Sequence, residues 1–236
     1  QAYEMVAKGG GIWWSYLLTI AMTLVGTFLG LSIIAMTGYA LQRKDFPFRN
    51  VISFYVYFTS LFSAGLAPYY LLMTNTYHLM DSYFAVLLPL LMSPWLIILM
   101  KNFVKAIPHE ITESGKIDGA GDMKIFTALI LPMLKPALAT IGLFLALGYW
   151  NEWYQSSLFL SSRVAVKPLQ YTLYEIVNKT DALRNSVAGQ FITLADIPTE
   201  SVKMANAVLA TGPIIFLYPF VQRYFISGIT VGAVKG

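Results

Sequence analysis

Residues 16–41 read Tyr16-Leu-Leu-Thr-Ile-Ala-Met-Thr-Leu-Val-Gly-Thr-Phe-Leu-Gly-Leu-Ser-Ile-Ile-Ala-Met-Thr-Gly-Tyr-Ala-Leu41 without one charged side chain. An α-helix rising about 1.5 Å per residue needs roughly 20 apolar residues to cross about 30 Å of hydrocarbon. This stretch is longer than that, and residues 82–100 and 204–222 are also free of charge. Of the 236 residues, 57% are hydrophobic and 12% charged, with a mean hydropathy of +0.61. Soluble domains carry roughly twice that charged fraction. The composition excludes a soluble enzyme, a disordered chain and a collagen-like fibre. It predicts an all-α, polytopic helical membrane protein.

Five spans are expected, over residues 16–41, 51–73, 82–100, 136–160 and 204–225, in a single transmembrane domain covering residues 1–236. Their orientation follows from the excess of Lys and Arg in cytoplasmic loops. The first loop holds Arg43, Lys44 and Arg49, and the second, residues 74–81, holds neither Lys nor Arg. The third holds Lys101, Lys105, Lys116, Lys124 and Lys135, and the tail holds Arg223 and Lys235. This alternation places the chain in the cell membrane as a multi-pass protein with a cytoplasmic C-terminus. The outer loop, about 161–202, has nearly balanced charges and is assigned outside by the shorter loops. Trp13 and Trp14 then lie at the outer interface. The chain starts with Gln, and a sixth, upstream span is expected in the full protein. Pro89, Pro94, Pro213 and Pro219 are expected to kink their helices.

The net charge of +4 is what cytoplasmic Lys and Arg give any such protein, and no basic run suggests nucleic acid. Cysteine is absent, which removes disulfides, thiolate metal sites and a Cys nucleophile. His78 and His109 are too far apart to suggest a zinc motif.

The cytoplasmic segment of about 105–135 carries the densest signal. Pro108 suits the first turn of a helix, and Glu110 and Glu113 complement its dipole. Glu113 and Lys116, spaced i, i+3, can pair. Asp118-Gly119 and Gly121 end this helix and permit a sharp turn. A second amphipathic helix then carries Met123, Phe126, Ala128 and Ile130 toward Pro132. The pattern is a helix-turn-helix docking element on the inner face of the bundle. Its carboxylates read as a solvated surface network, because no His, Ser or ligand constellation accompanies them.

Glu113-Ser114-Gly115, then Asp118-Gly119-Ala120, Phe126, Leu131-Pro132 and Pro136, resembles the coupling loop of permease subunits in bacterial ATP-binding-cassette importers. That family has a Glu-Ala-Ala triplet where this chain has Glu-Ser-Gly. Tyr39-Ala-Leu with Arg43 and Phe46-Pro47, Trp150-Asn-Glu-Trp153, and the tail Gln222 to Gly236 are similar to the second permease of maltose-type importers. Ser63-Ala-Gly-Leu-Ala-Pro68 and Ile197-Pro-Thr-Glu200 lean toward relatives that import larger, including uronate-containing, oligosaccharides.

The resemblance implies a heterodimer with a second permease subunit, two ATPase subunits beneath it, and an extracytoplasmic solute-binding protein that delivers an oligosaccharide substrate. The chain is then not an enzyme. It lacks the Gly-x-x-x-x-Gly-Lys-Ser/Thr phosphate loop and needs no cofactor or metal of its own, so ATP and Mg belong to the partner ATPase. Glu110, Glu113, Ser114, Gly115, Ile117, Asp118, Gly119, Ala120, Met123 and Phe126 become candidate ATPase-coupling residues. Glu113 would pair with a basic ATPase residue, Gly119 would make the turn, and Ile117, Ala120 and Met123 would be buried against the partner.

Trp150, Asn151, Glu152, Trp153 and Tyr154, with Tyr69, Tyr70 and Asn75, are substrate-path candidates. Aromatic faces stack on sugar C–H groups, while Asn and Glu bond hydroxyls; the competing reading is helix packing with an interfacial aromatic belt. Leu169, Leu173 and Ile176 should bury one helical face, and residues 178–190 are expected to be an exposed loop that meets the binding protein. The rival readings are a permease for another small solute, a secondary transporter and a structural membrane anchor.

Overall fold

The computed structural model describes residues 11–185 and the single helical positions 204, 208 and 211. All regular structure among them is helical. The expected span 204–225, with Asn206, Pro213 and Pro219, the Ile197–Glu200 motif and the C-terminal tail, lies outside the described residues.

Helix α1, Ile12–Gln42, lengthens the first expected span at both ends and is 31 residues long. The second expected span is not one helix. It divides into α2, Arg49–Leu61, and α3, Leu66–Thr76, which meet at 116°. Phe62 is extended and Gly65 adopts φ +89°, a region that side-chain-bearing residues rarely enter. The Gly65 N–H donates to Ser63 Oγ at 3.2 Å. Hydropathy alone passes over this Ser-Ala-Gly stretch because none of its residues is charged.

The third span, Tyr83–Lys105, is long and apolar enough to cross a membrane. It comprises α4, Tyr83–Leu91, and α5, Pro94–Lys105. Pro89 stays within α4, whereas Pro94 opens α5 and pushes Ser93 into an extended conformation, as the residue before proline prefers. After α6, His109–Ile117, and α7, Asp122–Met133, the chain turns by 83°. It enters α8, Lys135–Trp150, breaks at residues 151–153, and continues as α9, Tyr154–Phe159. The continuous helix expected over 136–160 is therefore interrupted near its C-terminal end. Two helices among the described residues are long and apolar enough to span, and up to four segments are if each bent pair counts as one.

Helix α10, Leu169–Asn185, follows. Leu169 and Leu173 are buried with Ile12 and Trp150, and Ile176 packs on them, as their spacing predicts. The helix also takes in residues 178–185, so most of the expected contact loop is helical.

Helix α1 is the spine of the bundle. Its Ile34, Ala35 and Tyr39 share one core with Leu96, Ile97 and Met100 of α5, Ile125, Phe126 and Ile130 of α7, and Ile141 and Leu145 of α8. Small residues let the backbones approach. A Cβ on Gly26 would lie 2.4 Å from the Tyr149 ring, and one on Gly38 would lie 2.6 Å from Met100 Cγ and 3.2 Å from the Lys101 backbone nitrogen. Gly38→Leu should overpack this crossing by about 1–3 kcal/mol and lower the thermal unfolding midpoint in detergent. Gly121→Ala, where the added carbon meets nothing within 4 Å, should leave the midpoint unchanged.

The two ends of the bundle are distinct. At one end Asp81, Ser161, Val166 and Leu169 converge. The Ser161 N–H donates to Asp81 Oδ1 at 2.7 Å, Tyr83 Oη donates to the Val166 carbonyl at 2.8 Å, and the Leu169 N–H donates to Thr19 Oγ1 at 2.8 Å. Hydrogen bonding from Ser161 holds the Asp81 carboxyl below its ordinary range. The start of the 161–202 segment thus shares an end with loop 74–81, as its charge balance suggests. Trp13 and Trp14 are exposed there. Loop 43–48 and the α6–α7 element occupy the opposite end.

Candidate functional site

The α6–α7 element is built by its glycine turn. Pro108 is extended and immediately precedes α6, one position earlier than the first helical turn expected for it, and Glu110 lies in that turn. Helix α6 ends at Ile117, and Gly119 takes φ +74°. The Ala120 N–H donates to the Gly115 carbonyl at 2.9 Å and the Gly119 N–H to the Lys116 carbonyl at 3.0 Å. This pairing satisfies the last carbonyls of the helix by a left-handed glycine. The chain reverses, and α7 starts at Asp122.

Over Ile125–Ile130, α7 is a π-helix. Its i→i+5 bonding lets Ile125 and Ile130 share the buried face with Phe126, while Met123 and Ala128 are exposed. The ordinary α periodicity that grouped Met123, Phe126, Ala128 and Ile130 is therefore replaced. Gly115 and Phe126 face inward: a Cβ on Gly115 would stand 3.0 Å from Ile125 and Leu129, and the Phe126 ring packs on Tyr39 with centroids 5.2 Å apart. Outward stand Glu110, Glu113, Ser114, Asp118 and Gly119, with Ala120 half-buried. Ile117 is 86% exposed and Met123 65%. Two apolar side chains thus flank the turn on an otherwise polar surface.

The expected Glu113–Lys116 pair does not form. Lys116 Nζ instead donates to Asp45 Oδ2 at 2.7 Å, and Glu113 Oε1 lies 3.6 Å from His109 Nε2. Lys116 turns away because loop 43–48 presents a carboxylate beside α6. Arg43 completes the network: its guanidinium makes two hydrogen bonds to the Asp45 carboxylate and reaches Asp122 Oδ1 at 2.6 Å. Its guanidinium carbon also lies 5.8 Å from the Tyr39 ring centroid, within cation–π reach. Arg43, followed by Lys116, holds the Asp45 carboxyl well below the usual carboxylate range, and Asp45 in turn raises the Arg43 value. This clasp ties the end of α1 to both α6 and α7. The sequence marks Arg43 as a loop cation and as part of the family resemblance, but it shows no pairing for Arg43, Asp45 or Asp122. An Arg-x-Asp directly after a span is a signal of a kind, but its partners lie more than 70 residues away in the chain.

At the other end, the substrate-path candidates divide. The Glu152 side chain is buried, at 7% exposure. Its carboxylate accepts hydrogen bonds from the Gln155 and Ser156 N–H groups and from Ser156 Oγ. It therefore caps α9. Trp150 is buried against Ile12, Leu169 and Leu173. Asn151, Trp153 and Tyr154 are exposed. Asn151 Nδ2 donates to the Leu147 carbonyl and Gln170 Nε2 donates to Asn151 Oδ1 at 3.3 Å. The Trp153 and Tyr174 rings lie 4.7 Å apart. Tyr69 and Tyr70 pack on Phe159 of α9, and Tyr69 Oη donates to Gln155 Oε1 at 2.9 Å. Asn75 is exposed and accepts from Thr74 Oγ1 at 3.2 Å. Gln155 joins Tyr69 to the broken end of the fourth span, a link the sequence did not signal.

A bent-helix membrane bundle with a glycine-turned docking element at one end and a cluster of aromatic and amide side chains at the other is the frame of a multi-pass permease subunit. Residues 26–231 match the family of binding-protein-dependent transport system inner membrane components, and the chain belongs to that family. It is 36% identical over 236 residues to the polygalacturonan/rhamnogalacturonan transport system permease protein YtcP of Bacillus subtilis (strain 168), covering 100% of this chain and 82% of that one. Its identity to the arabinooligosaccharides transport system permease protein AraQ of the same strain is 27%, over 99% of this chain and 78% of that protein. Among solved structures it is similar to a chain of a bacterial ABC transporter involved in the import of the acidic polysaccharide alginate, with a TM-score of 0.81 and 32% identity. The match covers 95% of this chain and 79% of that chain.

Proposed function

We propose that this chain is one of two permease subunits of an ATP-driven carbohydrate importer, and that it forms half of the path for an oligosaccharide. The observation that carries this reading is the α6–α7 turn. Ile117 and Met123 project from it into solvent, while ion pairs and the shared core bind it to α1 and α8. Exposed apolar side chains on a firmly held turn suit insertion into a cleft of a partner. That partner is an ATPase subunit holding ATP and Mg, one of two beneath the permease pair.

Closure of the ATPase pair displaces α6 and α7. Because Ile125, Phe126 and Ile130 belong to the core shared by α1, α5 and α8, the displacement reaches the spans as a body movement. Nucleotide state and the inward–outward equilibrium are coupled through that contact. Glu113, which among the described residues is held only by His109, is free to exchange that contact for a basic ATPase residue. The C-terminus lies on the cytoplasmic side with α6 and α7, and residues 1–236 act as one domain.

At the opposite end a solute-binding protein delivers the sugar. Exposed Asn151, Trp153, Tyr154 and Asn75 are the side chains available to it, whereas Glu152 and Trp150 build the frame. Acidic oligosaccharides are the first cargo to test, since the named cargoes of the polygalacturonan/rhamnogalacturonan and alginate relatives are acidic polymers. Asn151→Ala removes two hydrogen bonds of the exposed amide. It should reduce uptake about fivefold to tenfold with assembly and basal ATPase activity preserved. Unchanged uptake would assign Asn151 to packing.

The reading as a whole is tested by affinity purification of the tagged chain from its native membrane, with mass spectrometry of what accompanies it. A second permease, an ATPase and a solute-binding protein are expected. Recovery of the chain alone, active in proton- or sodium-driven uptake, would overturn the proposal.

A further inference from the structure

Between α1, α2 and α5, at the end of the bundle that carries α6 and α7, lies a pocket of about 480 Å³. Its wall changes character along the membrane normal. Toward the bilayer interior it is lined by Val56, Ile97 and Ile98, and toward the loops by Lys101, Asn102 and Lys105. Lys101 is the first charged residue after the uncharged stretch 82–100, which puts it at the level where hydrocarbon gives way to headgroups. Lys105 follows one helical turn later, about 6 Å further out.

The charges in this corner are unbalanced. Lys101 Nζ donates to Ser53 Oγ at 2.8 Å, a neutral partner. The charges that act on it are those of Arg49 and Lys105, both positive. No carboxylate lines the pocket, and none of the three cations makes an ion pair among the described residues. This differs from the neighbouring Arg43 corner, where Arg43 and Lys116 both meet acids. Three like charges drawn together beside an apolar slot are destabilising by themselves. An anion with an apolar tail would relieve them and fill the slot.

We propose that this pocket seats one anionic phospholipid of the adjoining leaflet, its phosphate between Lys101 and Lys105 and its acyl chains along Val56, Ile97 and Ile98. Basic pockets between membrane helices on the cytoplasmic side recognise such headgroups. A phosphatidylcholine headgroup, whose own cation cancels its phosphate, gains much less here. The lipid would brace α2 against α5 beside the first turn of the coupling element. The proposal rests on the membrane placement of the chain and not on the cargo, so the two readings fail separately.

Native mass spectrometry of the purified full-length chain, titrated with dioleoylphosphatidylglycerol, tests it. Parallel titrations use dioleoylphosphatidylcholine and inorganic phosphate. One phosphatidylglycerol per chain should be retained in preference to phosphatidylcholine. Lys101→Gln with Lys105→Gln should weaken it about 30-fold and Lys105→Gln alone about fivefold, while the Lys→Arg pair keeps it. Lys105 is exposed, so the single variant still reports if the double variant does not fold. Equal retention of the two lipids, or unchanged binding in a folded Gln variant, would overturn the proposal. Displacement by millimolar inorganic phosphate would assign the pocket to a small soluble anion. Loss of the lipid when the intact complex is titrated would make the pocket a subunit contact; either result overturns the lipid seat.

Discussion

Gly119→Pro is expected to leave the chain in the membrane and to uncouple ATP hydrolysis from uptake. Proline fixes φ near −65°, whereas Gly119 is at +74°. It also removes the N–H that meets the Lys116 carbonyl at 3.0 Å. The turn must open, and Ile117 and Met123 then no longer flank it together. A penalty of about 3 kcal/mol against the docked geometry corresponds to roughly a hundredfold loss of coupled transport. Gly119→Ala keeps the N–H and meets only the left-handed penalty of about 1–2 kcal/mol, so it should lose about tenfold. Nothing lies within 4 Å of a Cβ at this position, so backbone strain is the whole effect and the spans are untouched. Uptake and ATPase activity measured together in proteoliposomes of the assembled importer check both variants. Normal sugar uptake in Gly119→Pro would sink the coupling assignment.

The second large effect is expected at Arg43. Arg43→Met retains length and apolar contact with Tyr39 but releases Asp45 and Asp122. The guanidinium is mostly covered, with 16% of its side chain exposed, while its partners are about half exposed or more. The cost should thus exceed the under 1 kcal/mol of a surface pair and fall short of the 3–5 kcal/mol for breaking a buried one. About 1–2 kcal/mol is expected, seen as a lower unfolding midpoint. Coupling should suffer with it, because α6 and α7 lose their tie to α1. Charge-paired rescue by Arg43→Lys should be partial, since an ammonium cannot bond the Asp45 carboxylate with two parallel N–H groups.

The pH dependence follows from the sign of the Asp45 shift. Its carboxyl is held below the ordinary range in the folded chain by Arg43 and Lys116. Stability from the clasp is therefore fully present above the ordinary carboxylate value and is lost only as pH falls through the lower, folded value. The difference between wild type and Arg43→Met should be flat from about pH 5 to 8 and should shrink in stronger acid. A difference that vanished near neutrality would point to a histidine contact instead.

What the chain shows without coordinates is set by short-range rules. Residues 16–41 and 82–100 announce spans because charge is costly in hydrocarbon. Gly119 announces a turn because a left-handed residue ends a helix. Leu169, Leu173 and Ile176 announce a buried face because one helical turn brings them together. The glycine-turn loop also carried the family resemblance, and the match over residues 26–231 agrees with it. Hydropathy was blind where uncharged backbone bends: at Gly65, which turns one expected span into two helices at 116°, and at residues 151–153. The π-helical stretch of α7 likewise escaped a periodicity of 3.6.

Only the tertiary structure decided who pairs with whom. Lys116 meets Asp45 across 71 positions rather than Glu113 three positions away, because the end of α1 brings loop 43–48 under α6. Glu152 has the composition of a sugar ligand but caps α9 from inside the bundle, since residues 151–153 break the helix and leave N–H groups to satisfy. Lys101 and Lys105 look like ordinary loop cations until α2 brings Arg49 near Lys101 and closes a pocket with no carboxylate in its lining. Spans and turns depend on neighbours within one helical turn, which a sequence displays. Ion pairs and pockets depend on which distant segments the packing brings together, and that is settled only when the helices cross.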